Sequence, residues 1–312
     1  MNQYMPEGML ITSDKNYEYT SSPDGLERAM RSNMILEGIA TLCDHNFNLH
    51  VNLPSEIKAI IPRSEAVYTT DGGKTKDIAI LTRVGKPVAF KVIGFERNEC
   101  GERIAILSRK AAQTECIENY ISTLIPGDII PAKVTHLESF GAFVDIGCGI
   151  ISLLSIDTMS VSRISHPSAR VAVNDYIYTV VKNKDDKGRI FVSERELLGN
   201  WEENAALFKE GETVRGIIRS VESYGVFVEL RPNLAGLAEY RSDVSVGQTA
   251  AVYIKSIIPE KMKIKLIIIN AEDAPIYVSP LEYFIDASLY SHIDRWRYSP
   301  TSSQKIIESV FE

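Results

Sequence analysis

At 312 residues, with 45% hydrophobic and 24% charged side chains, the chain can build several packed cores, and its composition is that of a globular protein rather than a disordered or fibrous one. No apolar run approaches the roughly 18 residues of a membrane span, and the N-terminal stretch lacks the basic start and apolar core of a secretory signal, so the expected location is the cytoplasm. A net charge of -7 argues against a uniformly basic nucleic-acid binder, yet the acidity falls in the tails and linkers and leaves three internal segments that together carry a small basic excess.

Residues 1–33 are polar and turn-rich and read as a loosely ordered arm. In residues 34–110, Phe47 to Leu53 (FNLHVNL) places Leu49, Val51 and Leu53 on one face of a strand and His50 and Asn52 on the other. The segment closes with two β-rich runs around a polar turn, ending at Lys110. Residues 111–125 carry Cys116, Ile117, Tyr120, Ile121 and Leu124 at helical spacing and are expected to form a helical linker.

Residues 126–195 open with GDIIPAKVTHLESFGAFVDI (Gly127 to Ile146). This string aligns without a gap with GETVRGIIRSVESYGVFVEL (Gly211 to Leu230), 84 positions later, and six of the twenty pairs are identical. Such a repeat marks one structural unit used again. Ala142, Val144 and Ile146 fall on one face and Phe143 and Asp145 on the other; Val226, Val228 and Leu230 oppose Phe227 and Glu229 in the same phase. An aromatic sharing a face with a carboxylate is expected to point toward water. The competing reading puts Phe140 and Phe143 in the core.

Residues 196–210, with Leu198, Trp201 and Ala205, read as a second helical linker, and residues 211–270 as the third unit, the segment at 34–110 being a degenerate first copy. Five short strands in about 70 residues, with turn signals between them, predict a small closed antiparallel barrel for each. In residues 271–312, Ser279-Pro280-Leu281-Glu282 and Thr301 to Gln304 read as helix starts, the second followed by a stripe of Ile306, Ile307, Val310 and Phe311.

Other signals carry less. Cys43, Cys100, Cys116 and Cys148 form no CxxC pair and read as reduced thiols. GGKT at Gly72 to Thr75 lacks the first glycine of a phosphate loop. Cys43, His45 and His50 lack a fourth metal ligand. No catalytic motif is found in a suitable context, so no enzyme is expected.

The string SFGAFVDIG at Ser139 to Gly147, the preceding KVTHL and the closing DDKGRIFVSER resemble the S-one RNA-binding domain, named for a ribosomal small-subunit protein, and NWEENAALFKEGETVRGII at Asn200 to Ile218 looks like that protein's inter-repeat connection. The resemblance implies a mainly β chain of three tandem OB-fold five-stranded barrels joined by short helices, with a small helical C-terminal segment. It also implies single-stranded RNA binding without chemistry, cofactor or metal. The family's two strand aromatics fall on Phe140 and Phe143, on Tyr224 and Phe227, and on Phe47 and His50, where Asn48 replaces the glycine between them. A histidine common on the next strand falls on Ser155 and Glu239, both departures. The family's acidic and basic pair near the last hairpin falls on Asp185 and Arg189, and in the third copy on Pro259 and Lys263. Lys133, Lys182, Lys184 and Arg189 are the candidates to hold the phosphate backbone. The partners implied are single-stranded RNA, messenger RNA among them, and the small ribosomal subunit, with no membrane. The rival is a protein-interaction adapter of the translation or RNA-decay machinery with weakened RNA affinity.

Overall fold

In the computed structural model, residues 3–69, 76–98, 100–273 and 281–311 are described; the GGKT string lies outside them. The chain divides into two compact units, one of residues 1–124, 131–133 and 145–151, the other of residues 125–130, 134–144 and 152–312. Among the described residues no helix is long and apolar enough to cross a membrane. All four cysteines are free, with Cys116 and Cys148 buried.

The first unit opens with a correction. Residues 3–33, expected to be a loosely ordered arm, contain two capped helices, α1 (Asp14–Thr20) and α2 (Pro23–Arg31). Ser13 and Ser22 accept backbone N–H groups at the two N-caps, and Pro23 occupies the first turn of α2. Leu26 and Ala29 of α2 are buried in the core of the first barrel. These helices are too short, and carry too few apolar residues, to be helical on their own; docking supplies their stability.

The first barrel closes in the order β1 (Leu36–Cys43), β2 (Leu49–Asn52), β3 (Lys58–Ile61), β5 (Arg103–Ser108) and β4 (Pro87–Arg97), with a short α3 (Asp77–Leu81) before β4. All pairings are antiparallel except the parallel one between β3 and β5. Leu49 and Val51 point inward as their alternation predicts. The Asn16 side chain completes the β1 edge, its amide donating to the Glu37 carbonyl at 3.1 Å and its oxygen accepting the Glu37 N–H at 2.8 Å. Helix α4 (Arg109–Asn119) follows directly, capped by Ser108.

The second barrel closes in the order β10 (Ile190–Ser193), β8 (Ile151–Ser155), β7 (Gly141–Asp145), β6 (Ile129–Glu138) and β9 (Tyr176–Lys184), with one turn of helix, α5 (Ile156–Met159), after β8. After α6 (Trp201–Ala205), which starts in an Asn200/Glu203 capping box, the third barrel closes in the order β11 (Thr213–Glu222), β12 (Gly225–Arg231), β13 (Leu234–Ala238), β15 (Lys263–Glu272) and β14 (Thr249–Ile258).

The C-terminal segment is a second correction. Among the described residues 281–311 there is no helix; Arg295–Arg297 (β16) and Glu308–Val310 (β17) pair antiparallel instead. The helix start at Ser279 and Pro280 lies outside the described residues, and Thr301 to Gln304 form turns that bring β17 back to β16. Trp296 and Tyr298 sink into the core of the third barrel, and the Tyr298 hydroxyl donates to the Asn233 carbonyl at 2.7 Å. Of the apolar residues read as a helical stripe, Ile307 packs against this core, Val310 lies in β17, and Ile306 and Val310 are exposed.

Asp145 and Glu229, expected on the water side beside Phe143 and Phe227, are only 2% and 5% exposed. They do lie opposite the inward residues of their strands, but other segments cover them. Within the first unit, Asp145 accepts the Glu7 N–H at 2.7 Å, and Glu7 in turn holds the buried Arg109 guanidinium at 2.6 Å. Burial, with the negative Glu7 alongside, pushes the Asp145 carboxyl up to about 7. In the second unit, Glu229 takes both arms of the Arg170 guanidinium, at 2.9 and 2.6 Å, and two more hydrogen bonds from Arg219 at 3.0 and 2.8 Å.

Two predictions follow from these buried charges. Glu229→Gln leaves two guanidiniums without their counter-ion and should destabilise the protein by about 3–5 kcal/mol, measured by urea unfolding, whereas cutting the exposed Asp185–Arg189 pair should change stability little. Glu194 is fully buried, with one oxygen accepting the Tyr283 hydroxyl at 2.9 Å and the other unpartnered. Burial pushes its carboxyl from 4.5 up to about 8. The folded state therefore holds the proton more tightly than the unfolded state, so the contribution is complete below pH 4.5 and is lost as pH rises toward 8. Melting temperatures between pH 5 and 9 should accordingly fall less for Glu194→Gln than for the unmodified protein.

Candidate nucleic-acid interface

Burial of Ala142 and Val144 against the barrel interior turns Phe143 outward, where it is half-buried on β7. Phe140 precedes the strand in the β6–β7 hairpin and is 51% exposed. The two rings meet edge to face, with centroids 6.0 Å apart and planes at 90°. In the third barrel Tyr224, 68% exposed, and Phe227 repeat the arrangement at 6.1 Å and 86°. Both hairpins need glycine between ring and strand: a Cβ on Gly141 would sit 2.5 Å from the Leu154 carbonyl, and one on Gly225 2.5 Å from the Ala238 carbonyl. The repeated glycine thus sets the close strand approach that fixes the ring pair.

The first barrel has Asn48 at this position and loses the platform. The Asp44 carboxylate accepts the N–H groups of Asn46 and Asn48, at 2.8 and 2.9 Å, and bends the hairpin so that Phe47 takes a φ of 63°. Phe47 then packs against the core with the Arg63 guanidinium 4.9 Å from its ring centroid. His50 is half-buried, its Nε2 3.5 Å from Asp44 Oδ2. Phe47 and His50 are therefore engaged by their own barrel.

The charged candidates divide as well. Lys182 and Lys184 are exposed on β9. Arg189 and Asp185 pair at 2.7 Å, and the Arg189 backbone N–H, together with its guanidinium, holds the Asp185 carboxyl below its usual range. This pair closes the last hairpin and leaves the Arg189 side chain largely exposed. Lys133 instead donates to the Glu7 carbonyl at 2.9 Å, a contact within the first unit. In the third barrel Lys263 is exposed at the start of β15, and Glu239 is exposed at the end of β13. Ser155 bonds the Asp157 carboxylate, so neither departure position offers a cation.

Two residues at these faces are not legible from strand alternation. Phe227 pairs with Leu237 on β13, and Leu237 with Lys265 on β15, which places an exposed ammonium in the same row as the ring. The pairing that does this is parallel and joins strands distant in sequence. His136 on β6 stands beside Phe143 although its place in the alternation after Ala132 and Val134 is an inward one.

Residues 123–195 match the family model described as the S1 RNA binding domain. Among curated proteins, the chain is 34% identical over 238 residues to a Staphylococcus aureus protein named small ribosomal subunit protein bS1, covering 74% of this chain and 57% of that one. It is 29% identical over 229 residues to a small ribosomal subunit protein bS1 homolog of Bacillus cereus, covering 70% and 57%. A Clostridium tetani protein named 4-hydroxy-3-methylbut-2-enyl diphosphate reductase matches at 30% over 200 residues, covering 62% of this chain and 31% of that one. The chain thus spans about a third to three fifths of the length of these relatives.

If Phe143 is a stacking ring, Phe143→Ala should weaken binding of single-stranded nucleic acid by about 1–3 kcal/mol while changing stability little. Val144→Ala, the neighbouring core residue, should cost about 2 kcal/mol of stability and alter the affinity of the folded protein far less. Anisotropy titrations and urea melts on the two variants separate these effects; the reverse outcome would put the strand phase off by one residue.

Proposed function

Because the chain belongs to the S1-domain family, we propose that it is a non-catalytic RNA-binding protein that holds unpaired RNA, messenger RNA among it, on the outer faces of its second and third barrels. The observation that carries this reading is the ring pair repeated at 6.0 and 6.1 Å with nearly the same edge-to-face angle. Exposed rings in a fixed arrangement offer base-stacking surfaces, while Lys182, Lys184 and Arg189 in one barrel and Lys263 and Lys265 in the other neutralise phosphate. Rings and cations bind but make and break no bonds, which supports reading the chain as a binder rather than an enzyme. The relatives named as ribosomal proteins support a role in translation, at the small ribosomal subunit and in the cytoplasm. The first barrel, with Phe47 and His50 engaged internally, serves in this reading as a scaffold rather than an RNA site. The exposed Glu239 beside the third platform favours the adapter reading, since an anion there repels phosphate.

Bases stacked and paired in a duplex cannot reach a shallow aromatic face, so the chain should bind an unstructured single strand in preference to the matched duplex. Fluorescence anisotropy with both forms tests this, and equal affinity would remove the stacking model. With few cations in place, the slope of log K against log salt should be shallow, about -2 to -4 at roughly -0.7 per phosphate contact. No binding at low salt would leave the adapter as the better account.

A further inference from the structure

The second barrel carries a third ring that the third barrel lacks. On β11 the register against β12 slips between Ile218 and Ser220, leaving Arg219 as the extra residue and setting Ser220 opposite Phe227. The same slip between Ala40 and Leu42 on β1 sets Leu42 opposite His50. Such a bulge turns the residue after it to the other face of the strand. Thr41, the extra residue of the first barrel, donates its hydroxyl to the His50 carbonyl at 3.3 Å, and Thr135 does the same to the Phe143 carbonyl at 3.0 Å. His136, one residue on, is accordingly exposed rather than buried, with its ring centroid 6.3 Å from that of Phe143 and the planes only 20° apart. Glu138 steadies the imidazole through a 2.8 Å contact to Nε2.

We propose that His136 is a base-stacking residue, extending the Phe140–Phe143 platform to three rings and making the second barrel the stronger site for unpaired nucleobases. This rests on the RNA-binding reading above. The three positions facing the second ring are Leu42, His136 and Ser220, so the second barrel alone among the three has a planar group there. His136 lies nearly parallel to Phe143, so the two offer similarly oriented faces, whereas Phe140 stands edge-on. The steps of 6.3 and 6.0 Å between rings are nearly twice the about 3.4 Å per nucleotide of a stacked strand. A strand following the platform ring by ring is therefore unstacked, which suits single-stranded RNA and opposes a preformed helix. The side chain makes little of the barrel core, being 62% exposed.

The test is anisotropy on the full-length chain with an unstructured RNA oligonucleotide, with melting temperature measured in parallel to establish folding. His136→Ala should weaken binding about five-fold or more, the low end of a lost base stack, at an unchanged melting temperature. His136→Phe, which keeps a ring without the imidazole nitrogens, should restore affinity to within about two-fold of the original; His136→Lys, which keeps a cation without a ring, should not. In a Phe143→Ala background, Ser220→His should tighten binding by supplying the missing ring to the third barrel. Full affinity in His136→Ala, or rescue by Lys and not by Phe, would overturn the proposal while leaving RNA binding in place. If Phe143→Ala weakens binding and His136→Ala does not, His136 alone is misassigned. An unmodified chain that binds no single-stranded RNA overturns both readings together.

Discussion

A carboxylate buried at the end of the second strand is the constraint on which the second and third repeats depend. Asp145 and Glu229 occupy equivalent positions, and neither can remain in a low-dielectric setting without partners. Each is satisfied by a combination of nearby groups and one segment far away in sequence. For Glu229 these are Arg170, 59 residues earlier, and Arg219 on the neighbouring strand. For Asp145 they are the N–H groups of Gly147 and Gly149 nearby and of Glu7 far away, and the Glu7 carboxylate in turn binds Arg109 and accepts the Ala89 N–H at 3.0 Å. Gly149 is part of the same arrangement: at a φ of 77° it passes so close to Arg109 that a Cβ would sit 1.9 Å from the guanidinium. A position that reads as solvent-facing thus anchors segments that no local pattern connects.

The aromatic faces are a consequence of the same strands. Inward Ala142 and Val144, and Val226 and Val228, leave Phe143 and Phe227 on the outside, and the glycine that opens each strand lets Phe140 and Tyr224 meet them edge-on. Where Asn48 stands in place of that glycine, the hairpin is bent by Asp44, and the ring of Phe47 turns to Arg63 and the core. Asn48 in place of the glycine and His50 in place of the second aromatic, with Asp44 holding both, therefore separate a barrel without a display of rings from those with one. Outward position alone does not make a binding residue: Lys133 is committed to the Glu7 carbonyl.

The barrels and the phase of their second strands were legible in the sequence because they rest on local alternation, turn residues and a repeat whose two copies check each other. Phe140 with Phe143 was legible for the same reason, whereas the Asp185–Arg189 pair came from the family resemblance, since the third copy has Pro259 and Lys263 there. The order of the arm, the strand pair β16–β17 and the buried state of Asp145 and Glu229 were decided only by tertiary structure, because each depends on contacts over tens to more than a hundred residues. The helices of the arm gain their stability from docking Leu26 and Ala29, and Trp296 and Tyr298 find a core that their own segment does not contain. At the candidate site, strand phase alone placed Phe143 outward, but the exposed placement of His136 beside it and the parallel pairing that puts Lys265 in line with Phe227 depend on how the strands meet. Register is set between strands, by hydrogen bonds and packing that a pattern along one strand does not encode.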